Sequence, residues 1–215
     1  MTHTLHRSRD IDGLGEDFAI LVMATQGFND RGAADKLRQV YRLVAESEPD
    51  NLADDNRGGR LTGLSDAEIL AQMGDKAYIG AAFSDRARLK DALARLKQAD
   101  LGMSVVVTGE YEAVFGILKE LGLKPHTVNM SLGVFGKKEL LPGKEVLAVA
   151  TMCGHQMVPN GRIEQLQAEV KSRRLSSAEA GLKLAATCTC GIFNPVRAGR
   201  VLEKTCCQKG GNHAD

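Results

Sequence analysis

Tryptophan is absent from this 215-residue chain, and all aromatics together make up only 4% of it. A single-strand nucleic-acid binder built on stacking platforms is therefore not expected. Charge of one sign is equally lacking, because 28 Lys and Arg oppose 27 Asp and Glu for a formal +1. Nucleic acids and membrane surfaces both call for a basic excess, so neither is expected as a partner. Long apolar runs are missing too. Residues 18–24 and 146–152 are among the longest, and both are far too short to span a bilayer. Residues 1–12 read MTHTLHRSRDID, without the apolar centre that a secretory leader needs. The expected setting is cytoplasmic and reducing, where clustered cysteines serve metals or redox chemistry more often than disulfides.

What is present suits a packed globular chain, with 43% hydrophobic and 26% charged residues. Residues 1–15 are expected to form a flexible arm, 16–140 an α/β domain, 141–205 a helical metal- or cluster-binding segment, and 206–215 a flexible tail. Phe18–Met23 is a continuous apolar run, the mark of a buried strand. Leu37, Val40, Tyr41 and Val44 fall at helical spacing within a helix over 33–46. Residues 48–63 are polar and rich in Asp, Asn and Gly, and read as a long loop and candidate lid. Ser65 and Glu68 have capping-box spacing. A second strand follows at Tyr78–Phe83. Ser84 is placed to cap a helix carrying Leu89, Leu93 and Leu96. A strand over 103–108 leads through Gly109 into a helix over 111–121, closed by Gly122. Residues 127–132 read as a fourth strand. Strands alternating with helices in this way predict an α/β fold with a mainly parallel or mixed sheet, and a ferredoxin-like α+β arrangement stays open because strand order is not legible.

Beyond Pro142-Gly143 the character changes. A short apolar stretch, 145–152, runs into Cys153-Gly-His155. Two helices follow, over 163–173 and from Ser176 or Ser177 to 186. Cys188-Thr-Cys190 comes next, then Asn194-Pro195 at the head of a last helix. A helical hairpin returns the chain near its start, so the C-x-H and C-x-C turns can meet. Gly154 and Gly191 permit close backbone approach to a bound centre. Cys153, Cys188 and Cys190 are thus candidate cofactor ligands, and Cys153, His155, Cys188 and Cys190 a candidate metal set.

An iron–sulfur cluster, 4Fe-4S in the favoured form, takes three thiolates and leaves one iron for His155, water or substrate. Zinc is the alternative, although these spacings are tight for a structural zinc site. Packed, reduced thiols are the bland one. His155 as general acid/base and Arg197 as partner for a substrate anion complete a candidate active site. The functional expectation is an iron–sulfur enzyme, a lyase or oxidoreductase acting on a small anion, or an electron-transfer component with a redox partner protein. Its alternatives are a zinc-stabilised regulatory module and a thiol-based carrier using Cys206 and Cys207. An oligomer is possible on the strength of the apolar helix faces.

Four further places merit inspection. Thr108-Gly109 before a helix can cradle an anion. Thr25, Gln26, Gly27, Asn29 and Asp30 lie where open sheets hold ligands. Residues 131–138 combine glycines with Lys137 and Lys138, and His126 and Asn129 are polar groups beside the fourth strand. No phosphate-binding glycine motif follows any strand.

Overall fold

The computed structural model describes Arg7 and residues 17–207. Five strands form one sheet: β1 (Phe18–Met23), β2 (Asn51–Asp54), β3 (Gly58–Gly59), β4 (Tyr78–Phe83) and β5 (Ser104–Thr108), in the order β3-β2-β4-β1-β5. Every pairing is antiparallel, which corrects the mainly parallel or mixed sheet expected from sequence. The reason lies in the crossovers. Helix α1 (Ala34–Ala45) joins β1 to β2, and α3 (Arg86–Ala99) joins β4 to β5. Each joins parallel strands that are not neighbours. The slot between β1 and β2 is filled by β4, which runs the other way, and β1 in turn separates β4 from β5. This is a split βαβ topology, within an α+β fold.

Two further sequence expectations change. Residues 48–63 are no lid, because β2 and β3 pair there at one side of the sheet. Polar β2 is buried along its whole length, since Asn51 Nδ2 donates to the Phe193 carbonyl at 3.0 Å and its burial is thereby satisfied. Residues 127–132, expected as a strand, lie outside the sheet. Val128, Met130 and Leu132 do alternate along the chain, but they are exposed, with no strand edge pairing them.

Strand periodicity divides the side chains between two faces. Phe18, Ile20, Val22, Leu52, Ile79, Ala81 and Phe83 face one core with Leu37, Val40, Tyr41 and Val44 of α1 and Leu89, Ala92 and Leu93 of α3. Helices α2 (Asp66–Gln72) and α4 (Tyr111–Glu120) add Ile69, Val114 and Ile117. Side chains of this kind contribute roughly 1.5–3 kcal/mol each on full burial. Ser65 and Glu68 form the expected capping box on α2. The cap of α3 is Asp85, accepting from Arg88 N at 2.8 Å, rather than Ser84.

The opposite face carries Ala19, Leu21, Asn51, Ala53, Gly80 and Ala82. Four helices form the C-terminal segment: α5 (Lys144–Ala150), α6 (Asn160–Lys171), α7 (Ser177–Ala185) and α8 (Pro195–Cys207). They share a second core that includes Ala19, Val146, Val149, Ile163, Leu166, Leu184, Ile192, Phe193 and Val201. Helices α7 and α8 cross closely at glycine, for a Cβ on Gly181 would sit 2.2 Å from the Pro195 carbonyl oxygen. Among the described residues, no helix is long and apolar enough to cross a membrane.

Candidate metal centre

The two cysteine turns leave this helical layer at the same place. Cys153 follows α5, where its N–H donates to the Ala150 carbonyl at 3.1 Å. Cys188 and Cys190 occupy the loop between α7 and α8, and Asn194 ends that loop by capping α8, its Oδ1 accepting from Arg197 N at 3.0 Å. The loop lies directly on the small-residue face of the sheet. A Cβ on Gly80 would stand 1.9 Å from the Cys190 carbonyl oxygen. Gly191 has φ +75, and a Cβ there would meet the Gly80 carbonyl oxygen at 2.4 Å. Glycine is needed at both positions, once for contact and once for contact and conformation together.

All three thiols are buried, at most 2% exposed. The Cys188 and Cys190 sulfurs are 3.5 Å apart, and the Cys153 thiol interacts with that of Cys188. The backbone N–H groups of His155 and Met157 favour the charged form of Cys153, that of Phe193 the charged form of Cys188 and that of Ile192 the charged form of Cys190. Donors fixed in this way stabilise negative sulfur and tune a metal bound to it. As free thiols the three divide unevenly. The bond from Cys188, then burial, pushes Cys153 far up. Cys188 is drawn down by its bond to Cys153, but its bond to Cys190 and burial outweigh this and push it up to about 11. Cys190 is held below the ordinary thiol value by the bond from Cys188, against its own burial.

On the outer side, Asp55, His155 and Cys190 place one donor atom each within 4.8 Å of one another. His155 is exposed and Asp55 half-buried. Cys153, His155, Cys188 and Cys190, expected as one set, therefore gather at one place, with sulfur inside and His155 and Asp55 outside. Asp55 was missed from sequence: it belongs to the turn between β2 and β3, and only the sheet order carries that turn to the cysteines.

Arg197, expected to meet a substrate anion, is instead 4% exposed, and its Nη1 donates to Asp17 Oδ2 at 2.5 Å. Asp17 also accepts from Asn194 Nδ2 at 3.1 Å and from Arg7 Nη1 at 2.5 Å. Arg197 therefore braces the head of α8. Arg7 belongs to the stretch expected as a mobile arm, yet its side chain is 4% exposed; the rest of residues 1–15 lies outside the described residues. Cys206 sits in α8 with its thiol 3.5 Å from the Gln167 carbonyl oxygen. The tail expected from 206 is helical through Cys207, and 208–215 lie outside the described residues.

The remaining candidates have structural explanations or lie elsewhere. A Cβ on Gly109 would meet Phe18 at 2.5 Å, so packing accounts for that glycine. Asn29 ties its loop together, accepting from Thr25 N at 2.7 Å and donating to the Gly102 carbonyl at 2.6 Å. His126 and Asn129 line a cleft of about 790 Å³ beside β5 and α4, to which none of the cysteines contributes. Residues 131–138 are exposed throughout.

No family model, curated protein or solved structure matches this chain.

Proposed function

We propose that this chain is a metal–thiolate protein of a reducing compartment, the cytoplasm, holding an iron–sulfur cluster at Cys153, Cys188 and Cys190. The observation that carries the reading is convergence. Three buried thiols from two loops far apart in sequence meet, and a backbone N–H beside each favours its charged form. Packing alone asks for buried cysteines but not for three of them in one place.

Such a cluster supplies electron transfer, or a Lewis-acidic iron where its fourth position is open. The protein's part is to seal the sulfur side against the sheet and leave one flank to solvent. On that flank His155 can close the coordination shell or hold a proton for a small substrate, and Asp55 beside it can orient the ring. With Arg197 committed to Asp17, the case for a substrate anion weakens and exchange of electrons with a partner protein gains.

A single zinc ion is the second reading, and one distance favours it. Tetrahedral zinc with bonds of about 2.3 Å sets its sulfurs about 3.8 Å apart, close to the 3.5 Å between Cys188 and Cys190. Purification without oxygen, followed by iron, acid-labile sulfide and zinc analysis and a visible spectrum, separates the two. Iron with matching sulfide and a broad visible absorption supports the cluster. Stoichiometric zinc in a colourless protein supports the second reading, and neither metal near stoichiometry removes both.

A further inference from the structure

We propose that this chain pairs with a second copy of itself by strand exchange, residues 127–132 of each copy adding to the open edge of β5 in the other. This association is independent of the metal–thiolate reading. An open strand edge attracts further strands, and proteins guard such edges by shortness, charge, proline or a bulge. The β3 edge of the sheet is guarded, being only Gly58–Gly59. The β5 edge has none of these guards. Its residues read Ser-Val-Val-Val-Thr, all but the first β-branched. Its pairing with β1 runs unbroken from Ser104 to Thr108, and Val105 is exposed.

Residues 127–132 supply the counterpart. They read Thr-Val-Asn-Met-Ser-Leu, a strict alternation that marks a strand with one buried face. Yet Val128, Met130 and Leu132 are 50%, 70% and 89% exposed. Gly133, at φ +100, ends the run. Six extended residues span about 20 Å, enough to cover β5. Within the chain, β5 and residues 127–131 both line the cleft of about 790 Å³, and no pairing joins them. Tyr111 and Phe115 border the same cleft with their rings stacked at 4.1 Å. That stack is an apolar shelf for Met130 of an incoming strand.

Charge selects the occupant. Residues 99–112, around β5, carry Asp100, Glu110 and Glu112 and no Lys or Arg. Residues 123–138 carry Lys124, Lys137 and Lys138 and no acid, with Glu139 just beyond. Acids therefore lie past both ends of the edge, and lysines past both ends of the segment. Pairing β5 with β5 sets acid beside acid, and pairing segment with segment sets lysine beside lysine. Segment on edge sets lysine beside acid in either strand direction. A second copy carries both halves of this match, so two exchanges close a twofold dimer.

The test is sedimentation velocity on the full chain, kept without oxygen and with reductant so that no disulfide links the copies. From roughly 1 to 100 µM the protein is expected to pass from monomer to dimer. Hydrogen exchange at the two ends of that range locates the contact, with amides of 104–108 and 127–132 gaining protection together in the dimer. Met130→Asp and Leu132→Asp alter side chains that are already exposed, so the fold is kept, and each should raise the dissociation constant about tenfold or more. Glu112→Lys should weaken the dimer about threefold. Adding Lys124→Glu, or Lys137→Glu with Lys138→Glu, should restore it, and the one that does so gives the strand direction. A chain that stays monomeric, a dimer protected at other residues, or a dimer indifferent to Met130→Asp and Leu132→Asp overturns the inference. So does restoration by neither charge reversal. Protection of 104–108 that is equal at both concentrations gives the edge to the chain's own segment, and likewise overturns it. Metal content is read separately, and none of these outcomes touches it.

Discussion

The two faces of the sheet solve different problems with the same five strands. Toward α1 and α3 the strands present Phe18, Ile20, Val22, Leu52, Ile79 and Phe83, large side chains that interdigitate with helices. Toward the C-terminal helices Ala19, Ala53, Gly80 and Ala82 form a small-residue patch beside Leu21, so that an irregular loop can lie on the sheet backbone itself. The first face buys stability by filling volume. The second surrenders volume to fix the C-x-C loop within contact distance of a rigid surface, which is how a site gains precision from a scaffold.

Substitutions on either face test that division. Gly80→Val places a side chain where Cys190 already has its carbonyl, and is expected to cost about 3 kcal/mol in a urea titration and to abolish stoichiometric metal. On the other face, Leu52→Ala should cost about as much, roughly 3 kcal/mol through a cavity, yet leave the metal content of the folded protein unchanged. If both variants lose metal equally, the faces are not distinct in function.

Acid offers a milder probe of the flat side. Burial opposes the charge on Asp17, but Arg7 and Arg197 outweigh it and hold the carboxyl below its ordinary 3.8. A group lowered on folding stabilises above its unfolded value and ceases to as pH falls through the folded one. Urea midpoints should therefore hold from pH 7 to about 5 and drop below about 4, and Asp17→Asn should flatten that drop. An unchanged acid slope in the variant would move the source elsewhere. The smallest effect is expected at Cys206→Ser, away from the converging sulfurs: under about 0.5 kcal/mol and no change in metal. A loss of metal there would bring back the mobile-carrier idea that the helical position of Cys206 argues against.

Local signals were legible in the chain wherever one segment decided them. Phe18–Met23 and Tyr78–Phe83 are buried almost throughout and read directly as strands, and Ser65 announces its helix by capping spacing, while the cap left open between Ser176 and Ser177 falls on Ser176. The C-x-H and C-x-C turns also marked themselves, because clustered soft donors on either side of a helical hairpin have few other uses. Strand order was not legible, since a crossover helix looks the same whether its strands are neighbours or one strand apart. Asn51–Asp54 looked like loop because its polar groups find partners only across the fold, at Phe193 for Asn51. Residues 127–132 had strand alternation without an edge that pairs it within the chain. Asp55, Asp17 and Arg7 carry no local mark at all, and their importance comes entirely from what folding places beside them.

The central claim meets its most direct test in metal content, measured side by side on the wild type and on a variant with Cys153, Cys188 and Cys190 all changed to serine, both prepared without oxygen. One occupied site per wild-type chain and none per variant chain are expected, with helical content alike in the two. Equal metal in both, or none in the wild type, would contradict it.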